Sequence, residues 1–168
     1  MGRLQGRGTI VTGAGSGIGR ATSKLFAAEG ASVLCFDKTD GVNETVDAIK
    51  KAGGKAIAMQ ADASSEADVS KAVDTAVKEF GKLDAIYANA GISGGGDPPF
   101  FELTADHWRK ILDVNLIGVF LAIKHASRVM VPNKKGDKLV RKLFPCESCD
   151  GLGFVPIDVP DEDRKRVV

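Results

Sequence analysis

The chain has 168 residues, 43% hydrophobic, 27% charged and 6% aromatic, which is enough apolar material for the core of one ordinary globular domain. Its 23 Lys+Arg nearly balance 22 Asp+Glu, so a net charge of +1 excludes the electrostatic footprint of a nucleic-acid binder or of a protein drawn to anionic membranes. The longest apolar run, residues 116–123, falls far short of the ~20 residues that span a bilayer. The opening residues are too polar for a secretory signal, and three cysteines, Cys35, Cys146 and Cys149, make no disulfide framework; a cytoplasmic, reducing setting is expected.

Composition changes near Val131. Residues 131–168 hold four of the six prolines and 15 charged residues, against 30 charged residues in the 130 before them. Two parts are therefore expected, a domain body over 1–130 and a divergent Pro- and charge-rich tail over 131–168.

Within the body, residues 9–12 (TIVT) are a short β-branched run ending in glycines, which predicts a buried strand entering a turn. Residues 18–29 favour helix and Gly30 stops it. A second strand follows over 32–37, closing on an acid, Asp37; then a helix over about 42–52, closed by Gly53-Gly54, and a strand over 56–60. Val69, Ala72, Val73, Ala76, Val77 and Phe80 fall on one helical face, with Ser65 and Asp68 at capping-box spacing before them and Gly81 after. Residues 85–88 read as a fourth strand and 89–99 as a Gly- and Pro-rich loop. Thr104 is placed to cap one long helical region ending near Met130. Such alternation of strand and helix predicts an α/β fold, a doubly wound parallel sheet with helices on both faces.

The segment Thr12-Gly13-Ala14-Gly15-Ser16-Gly17-Ile18-Gly19 lies between the first strand and the first helix. A diphosphate needs backbone N–H donors at close range and a helix N-terminus supplies partial positive charge, so glycines here clear its approach. Asp37 stands 18 residues past Gly19 at the tip of the second strand, where a carboxylate accepts hydrogen bonds from an adenosine ribose diol and repels a 2′-phosphate. The plainer reading of the segment is a tight strand-to-helix turn with an incidental acid nearby.

These residues resemble the short-chain dehydrogenase/reductase family over about residues 7–130. Thr12 to Gly19 is similar to the family's Thr-Gly-x-x-x-Gly-x-Gly cofactor loop, and Asn89-Ala90-Gly91 to its Asn-Ala-Gly signature. Asp62, followed by Ala63, matches the acid beside the adenine, and Asn115 matches the helix asparagine that holds a water in the family's proton relay. The resemblance implies a Rossmann-type sheet in the order 3-2-1-4, truncated after the fourth strand and its following helix. It implies NAD(H) bound by Gly13, Ser16, Gly17, Ile18, Gly19, Asp37, Asp62, Ala63, Asn89, Ala90 and Gly91, with NAD favoured over NADP by Asp37 despite Lys38 and Arg20 nearby. Asn115 is the one catalytic position carried over. The helix over 115–130 resembles the family's dimerisation helix, which implies a homo-oligomer. Each match keeps a bland counterpart: Asp62 as a solvated loop acid, Asn115 bonded only to backbone, Tyr87 as core or pocket wall, His107 and Trp108 as helix-face packing, and His125 as a cation suiting a helix end.

The family's reaction moves a hydride between nicotinamide and an alcohol or ketone carbon, with the proton supplied by a Tyr-x-x-x-Lys pair and a serine holding the oxygen. No tyrosine follows Tyr87, and beyond Ser127 the only serine is Ser148. Three readings stand: an oxidoreductase by descent that does not turn over alone, a non-catalytic dinucleotide-binding module, and a truncated or fused product without function. In the tail, residues 146–153 resemble a single Cys-x-x-Cys-x-Gly-x-Gly repeat of DnaJ-type zinc domains. One pair of cysteines is half of what a tetrahedral structural zinc needs, so no metal site is expected within one chain; two chains sharing a zinc stays open. Residues 152–159 could extend along the open edge of the fourth strand.

Overall fold

Each strand is followed by a helix long enough to carry the chain back to the end where it started, so all four strands run parallel. The computed structural model describes residues 2–93 and 98–131. Its strands are β1 (Gly8–Thr12), β2 (Ser32–Asp37), β3 (Lys55–Gln60) and β4 (Ala85–Tyr87), and its helices α1 (Gly17–Ala28), α2 (Gly41–Lys51), α3 (Glu66–Phe80), α4 (Ala105–Leu112) and α5 (Gly118–Met130). The sheet order is β3-β2-β1-β4, with Val11 beside Cys35 on one side and Tyr87 on the other. This is the Rossmann-like α/β sheet that the alternation of elements implies.

The two-residue period of the strands sorts their side chains into two cores. Ile10, Leu34 and Phe36 face α3 and α5, packing on Val69, Val73, Ala76 and Leu121. Val11, Val33 and Cys35 face α1 and α2, packing on Ala27, Val42, Val46 and Ile49. Burial pushes the Cys35 thiol up to about 11, so it stays a neutral packing group.

Two helix starts refine the sequence reading. Ser65 does cap α3, its hydroxyl accepting from the Asp68 amide at 3.3 Å, and Gly81 closes the helix in the left-handed region at φ 73°. The reciprocal half of that capping box is not made; the Asp68 carboxylate instead accepts from the Asp62 amide at 2.9 Å. At α4, Thr104 and His107 form a full capping box, so His107 is a cap and not a packing residue. The expected single helix over 104–130 is interrupted by a π-helical turn, Asp113–Ile117, between α4 and α5.

At the end of the sheet away from the glycine turn, Asp84 is only 3% exposed. Its carboxylate accepts from the Gly8 amide and from Arg7, both at 2.9 Å, and pairs with Lys82 at 3.3 Å. Sequence periodicity gave no sign of this buried acid, which ties the start of β4 to the start of β1. Beyond β4 the sheet has no further strand among the described residues. Trp108, Leu112, Leu116, Phe120 and Ile123 are exposed along α4 to α5, and Tyr87, 39% exposed, is neither core nor cleft wall. The expectations for the tail, including the cysteine pair, its zinc and the edge-covering segment, lie outside the described residues.

Burial raises the pKa of Asp84, but the Gly8 amide and the Arg7 and Lys82 cations outweigh it and hold the carboxyl below its usual value. Its stabilisation is therefore complete above about pH 4 and is lost as the pH falls through the lower folded value. Asp84→Ala is expected to cost about 3 kcal/mol in urea unfolding at neutral pH, because Arg7 and the Gly8 amide lose their partner. The deficit should shrink as both proteins are acidified below pH ~4; a variant as stable as wild type at pH 7 would show the brace to be dispensable.

Candidate dinucleotide site

The turn from β1 into α1 exposes a run of peptide groups that the strand and helix backbone leave unpaired, and side chains and backbone from β2, α2 and α1 take those on its inner side. The Ala14 amide donates to the Phe36 carbonyl at 3.1 Å, and the Ala14 carbonyl accepts from Thr45 Oγ1 at 2.8 Å. Gly15 donates its amide to Asp37 Oδ2 at 2.8 Å, while its carbonyl accepts from the Arg20 guanidinium. Arg20 also reaches the Gly41 carbonyl, Thr45 and, at 2.9 Å, Glu44. It is therefore part of the frame behind the turn.

The glycines of the turn divide into two kinds. A Cβ at Gly19 would meet the Gly13 carbonyl oxygen at 2.0 Å, and one at Gly15 would meet the Asp37 carboxyl carbon at 2.7 Å, so these two are demanded by the protein's own packing. Gly17, at φ 50°, would carry its Cβ into open space. It lines the cleft, so the missing side chain there leaves room for a ligand. Ser16, the residue before α1, makes no side-chain cap, and the first turn of α1 holds no acid. The N-terminal amides of α1 thus stay open and partly positive, unlike those of α3 and α4, which serine and threonine cap.

The tips of the other strands complete the walls. The Asn89 and Ala90 amides donate to Thr12 Oγ1 at 3.0 and 2.9 Å, and Asn89 Nδ2 donates to the Thr12 carbonyl at 3.0 Å. Asn89 therefore braces the ends of β1 and β4 beside Gly13 and Gly19. Asp37 Oδ1 accepts from the Thr39 amide and hydroxyl at 2.8 and 2.7 Å. With Oδ2 on Gly15, three of the roughly four acceptor positions of the carboxylate are used and one remains. Asp62 accepts from both the amide and hydroxyl of Ser64 and pairs with Lys38 at 2.7 Å; Lys38 and Ser64 together hold its carboxyl down at about 2.

These elements enclose a cleft of about 730 Å³ at the carboxyl ends of the strands, between β1 and β4, where the strand order reverses. All eleven residues expected to bind a cofactor line it, from Gly13 to Gly91. Asn115 does not. Its Oδ1 accepts from the Ile92 amide at 2.8 Å and its Nδ2 donates to the Ile92 carbonyl at 2.9 Å, which fastens the π-helical turn to the loop after β4. Asn115 is exposed, and bonding to backbone alone is its plainer sequence reading, not the proton-relay role that the resemblance implies. Lys110 and Val114 line the cleft and went unread, since nothing in a helix sequence says which residues face a loop elsewhere. Thr45 was legible in principle: it interrupts the apolar stripe of Val42, Val46 and Ile49, and a hydroxyl on a buried stripe needs an acceptor. His125 meets Glu66 at 3.1 Å and does not line the cleft. Among the described residues no cluster of His, Cys, Asp and Glu could hold a metal, and no helix is long and apolar enough to cross a membrane.

Comparison with known proteins gives the same picture from another direction. Residues 7–140 match the model of the short chain dehydrogenase family. Over 136 residues the chain is 43% identical to short chain aldehyde dehydrogenase 1 of Euphorbia lathyris, covering 80% of this chain and 46% of that protein. It is 41% identical over 134 residues to a mitochondrial borneol dehydrogenase of Lavandula x intermedia, covering 80% of this chain and 50% of the other. Among solved structures, a short-chain dehydrogenase/reductase of Serratia marcescens superposes with a TM-score of 0.70 at 37% identity, covering 75% of this chain and 51% of that one. The chain spans about half the length of the curated relatives it matches.

Thr45→Val keeps the shape of the side chain and removes the hydroxyl, leaving the Ala14 carbonyl unpaired. We expect a loss of about 1–2 kcal/mol in chemical unfolding, with the strand signals of circular dichroism unchanged. An unaltered midpoint would mean that the turn does not depend on this bond.

Proposed function

The chain belongs to the short-chain dehydrogenase family, and on that premise we propose that it binds NAD(H) in the cleft between β1 and β4 as the cofactor half of an alcohol/ketone oxidoreductase acting in the cytoplasm. The observation that carries this reading is the uncapped start of α1 facing an open cleft, with Asp37 at its rim. The amides of Ser16, Gly17 and Ile18 would hold the diphosphate, for which Gly17 leaves the space. Asp37 would accept from the adenosine ribose on its remaining acceptor position, and Asp62 and Ala63 would border the adenine. Asn89, Ala90 and Gly91 would border the path toward the nicotinamide. NAD is favoured over NADP because Asp37 opposes a 2′-phosphate while Arg20 is committed to the frame behind the turn and Lys38 is paired.

When bound, the nicotinamide supplies or accepts the hydride, and the protein must supply orientation and a proton at the oxygen. Tyr87, the only tyrosine of this sequence, is a strand residue off the cleft, and Asn115 spends both polar ends on Ile92. We therefore assign this chain dinucleotide binding without turnover of its own, the Ser/Tyr/Lys groups being absent from its sequence. We extend the proposal to self-association through the exposed apolar face that runs from the π-helical turn into α5, where Leu116, Phe120 and Ile123 stand open.

Titration of NADH fluorescence tests the binding. The chain should retain NADH below about millimolar concentration, and Asp37→Ala should weaken it at least about tenfold, the loss of one charge-assisted hydrogen bond. Equal affinity in the variant would remove Asp37 from the ribose site. A panel of ketones with NADH should show no turnover by the isolated chain; a sustained dehydrogenase rate would overturn the assignment of binding alone.

A further inference from the structure

Among the described residues two cations, Lys38 and Lys110, line the cleft, and only Lys38 is paired with a carboxylate. Lys38 directly follows Asp37 at the tip of β2. Its ammonium is 2.7 Å from Asp62 Oδ2, a residue just past the tip of β3, so the pair links two strand ends along the adenosine side of the cleft. The backbone beneath Lys38 is fixed as well, its carbonyl accepting from Gln60 Nε2 at 3.1 Å. Asp62 is anchored on its other oxygen by the amide and hydroxyl of Ser64, at 2.9 and 2.7 Å, and its side chain is 29% exposed. The Lys38 side chain, by contrast, is 75% exposed on a flexible stem. One partner is rigid and the other can swing.

We propose that Asp62 sets dinucleotide selectivity by holding Lys38 away from the ribose 2′ position, an inference that rests on the NAD(H) reading of the cleft. An ammonium one residue from Asp37 is the group best placed to neutralise a 2′-phosphate that Asp37 alone would repel. A phosphate dianion competes for that ammonium with a carboxylate already seated on it, and it must also approach two acids, Asp37 and Asp62. Selectivity of this kind is a difference of affinities, and Asp62 enters it twice, as competitor for the cation and as a like charge. Arg20 cannot substitute, because its guanidinium faces the Gly15 and Gly41 carbonyls, Thr45 and Glu44 behind the turn. Because Lys38 and Ser64 keep the Asp62 carboxyl near 2, the hold is constant across neutral pH.

Parallel fluorescence titrations with NADH and NADPH test this, read as the ratio of the two dissociation constants. Asp62→Asn keeps an oxygen that can accept from Ser64 and removes the charge that holds Lys38. It should shift the ratio toward NADPH by about tenfold, the scale of one hydrogen bond to a charged group, and the shift should fade at high salt. Adding Lys38→Met to Asp62→Asn should abolish the gain, whereas adding Lys110→Met should preserve it. The inference is overturned by an unchanged ratio in Asp62→Asn, by a gain that survives loss of Lys38, or by one that disappears with Lys110. Should Asp62→Asn fail to fold, Asp62→Ser carries the same expectation, and Lys38→Met in the parent chain should move the ratio less than about twofold, since the cation there is already spent; a larger fall in NADPH affinity would contradict a sequestered Lys38. A parent chain that binds neither nucleotide would instead reject the NAD(H) reading itself.

Discussion

A chain passing from a buried strand into a helix must satisfy several peptide groups within four or five residues, and in this protein the inner side of that turn is satisfied by the next βα unit together with Arg20 of α1 itself. Asp37 takes the Gly15 amide, Arg20 the Gly15 carbonyl, Phe36 the Ala14 amide and Thr45 the Ala14 carbonyl. Ala14 and Gly15 thus have both amide and carbonyl paired, and the peptide unit between them is fixed at each end. The outward-facing amides of α1 are then the ones left without a partner, and they point where the strand order reverses and a cleft must form. The site is a residue of this bookkeeping: everything at the back is bonded so that the front can stay open. It follows that the turn is organised before any ligand arrives, and that binding need not first order it.

The same hydrogen bonds show how much of the protein was readable from its sequence. Strand and helix order came from periodicity, since apolar spacing reports which face is buried whatever the fold. The glycine turn and Asp37 were legible because their function depends on local spacing, and the eleven residues expected around a cofactor do converge on one cleft. What escaped was pairing across distance. Arg20 read as a cation near the ribose yet turns inward, Asn115 read by resemblance as a relay residue yet spends both polar ends on Ile92, and Asp84 gave no local signal at all. In each case the partner lies on an element 20 or more residues away, or in a peptide carbonyl that no side-chain pattern encodes. The roles of individual glycines were also hidden, because Gly17 and Gly19 look alike in a sequence and differ only in what a Cβ would meet.

The chain spans about half the length of the curated relatives it matches, and it carries the glycine turn, the acidic strand tip and the asparagine brace. The β4 side of the sheet and the outer faces of α4 and α5 hold much of the large exposed apolar surface. The cleft opens at the carboxyl ends of the strands, and at their other end Asp84 clamps β4 to β1.

The π-helical turn at Asp113–Ile117 has a geometric effect on all that follows it. An α-helix advances about 100° per residue, so one surplus residue in the winding resets the phase of the segment downstream. In α5 that phase is the one that puts Gly118, Leu121, Ala122 and Ala126 toward the protein interior. Shortening the turn by a single residue would roll this inward stripe roughly a quarter of a revolution away from the sheet, while also parting Asn115 from Ile92. The widened turn is therefore a phase-setter: it allows one continuous rod to meet a loop with one residue and a sheet with others that a uniform winding would have aimed elsewhere.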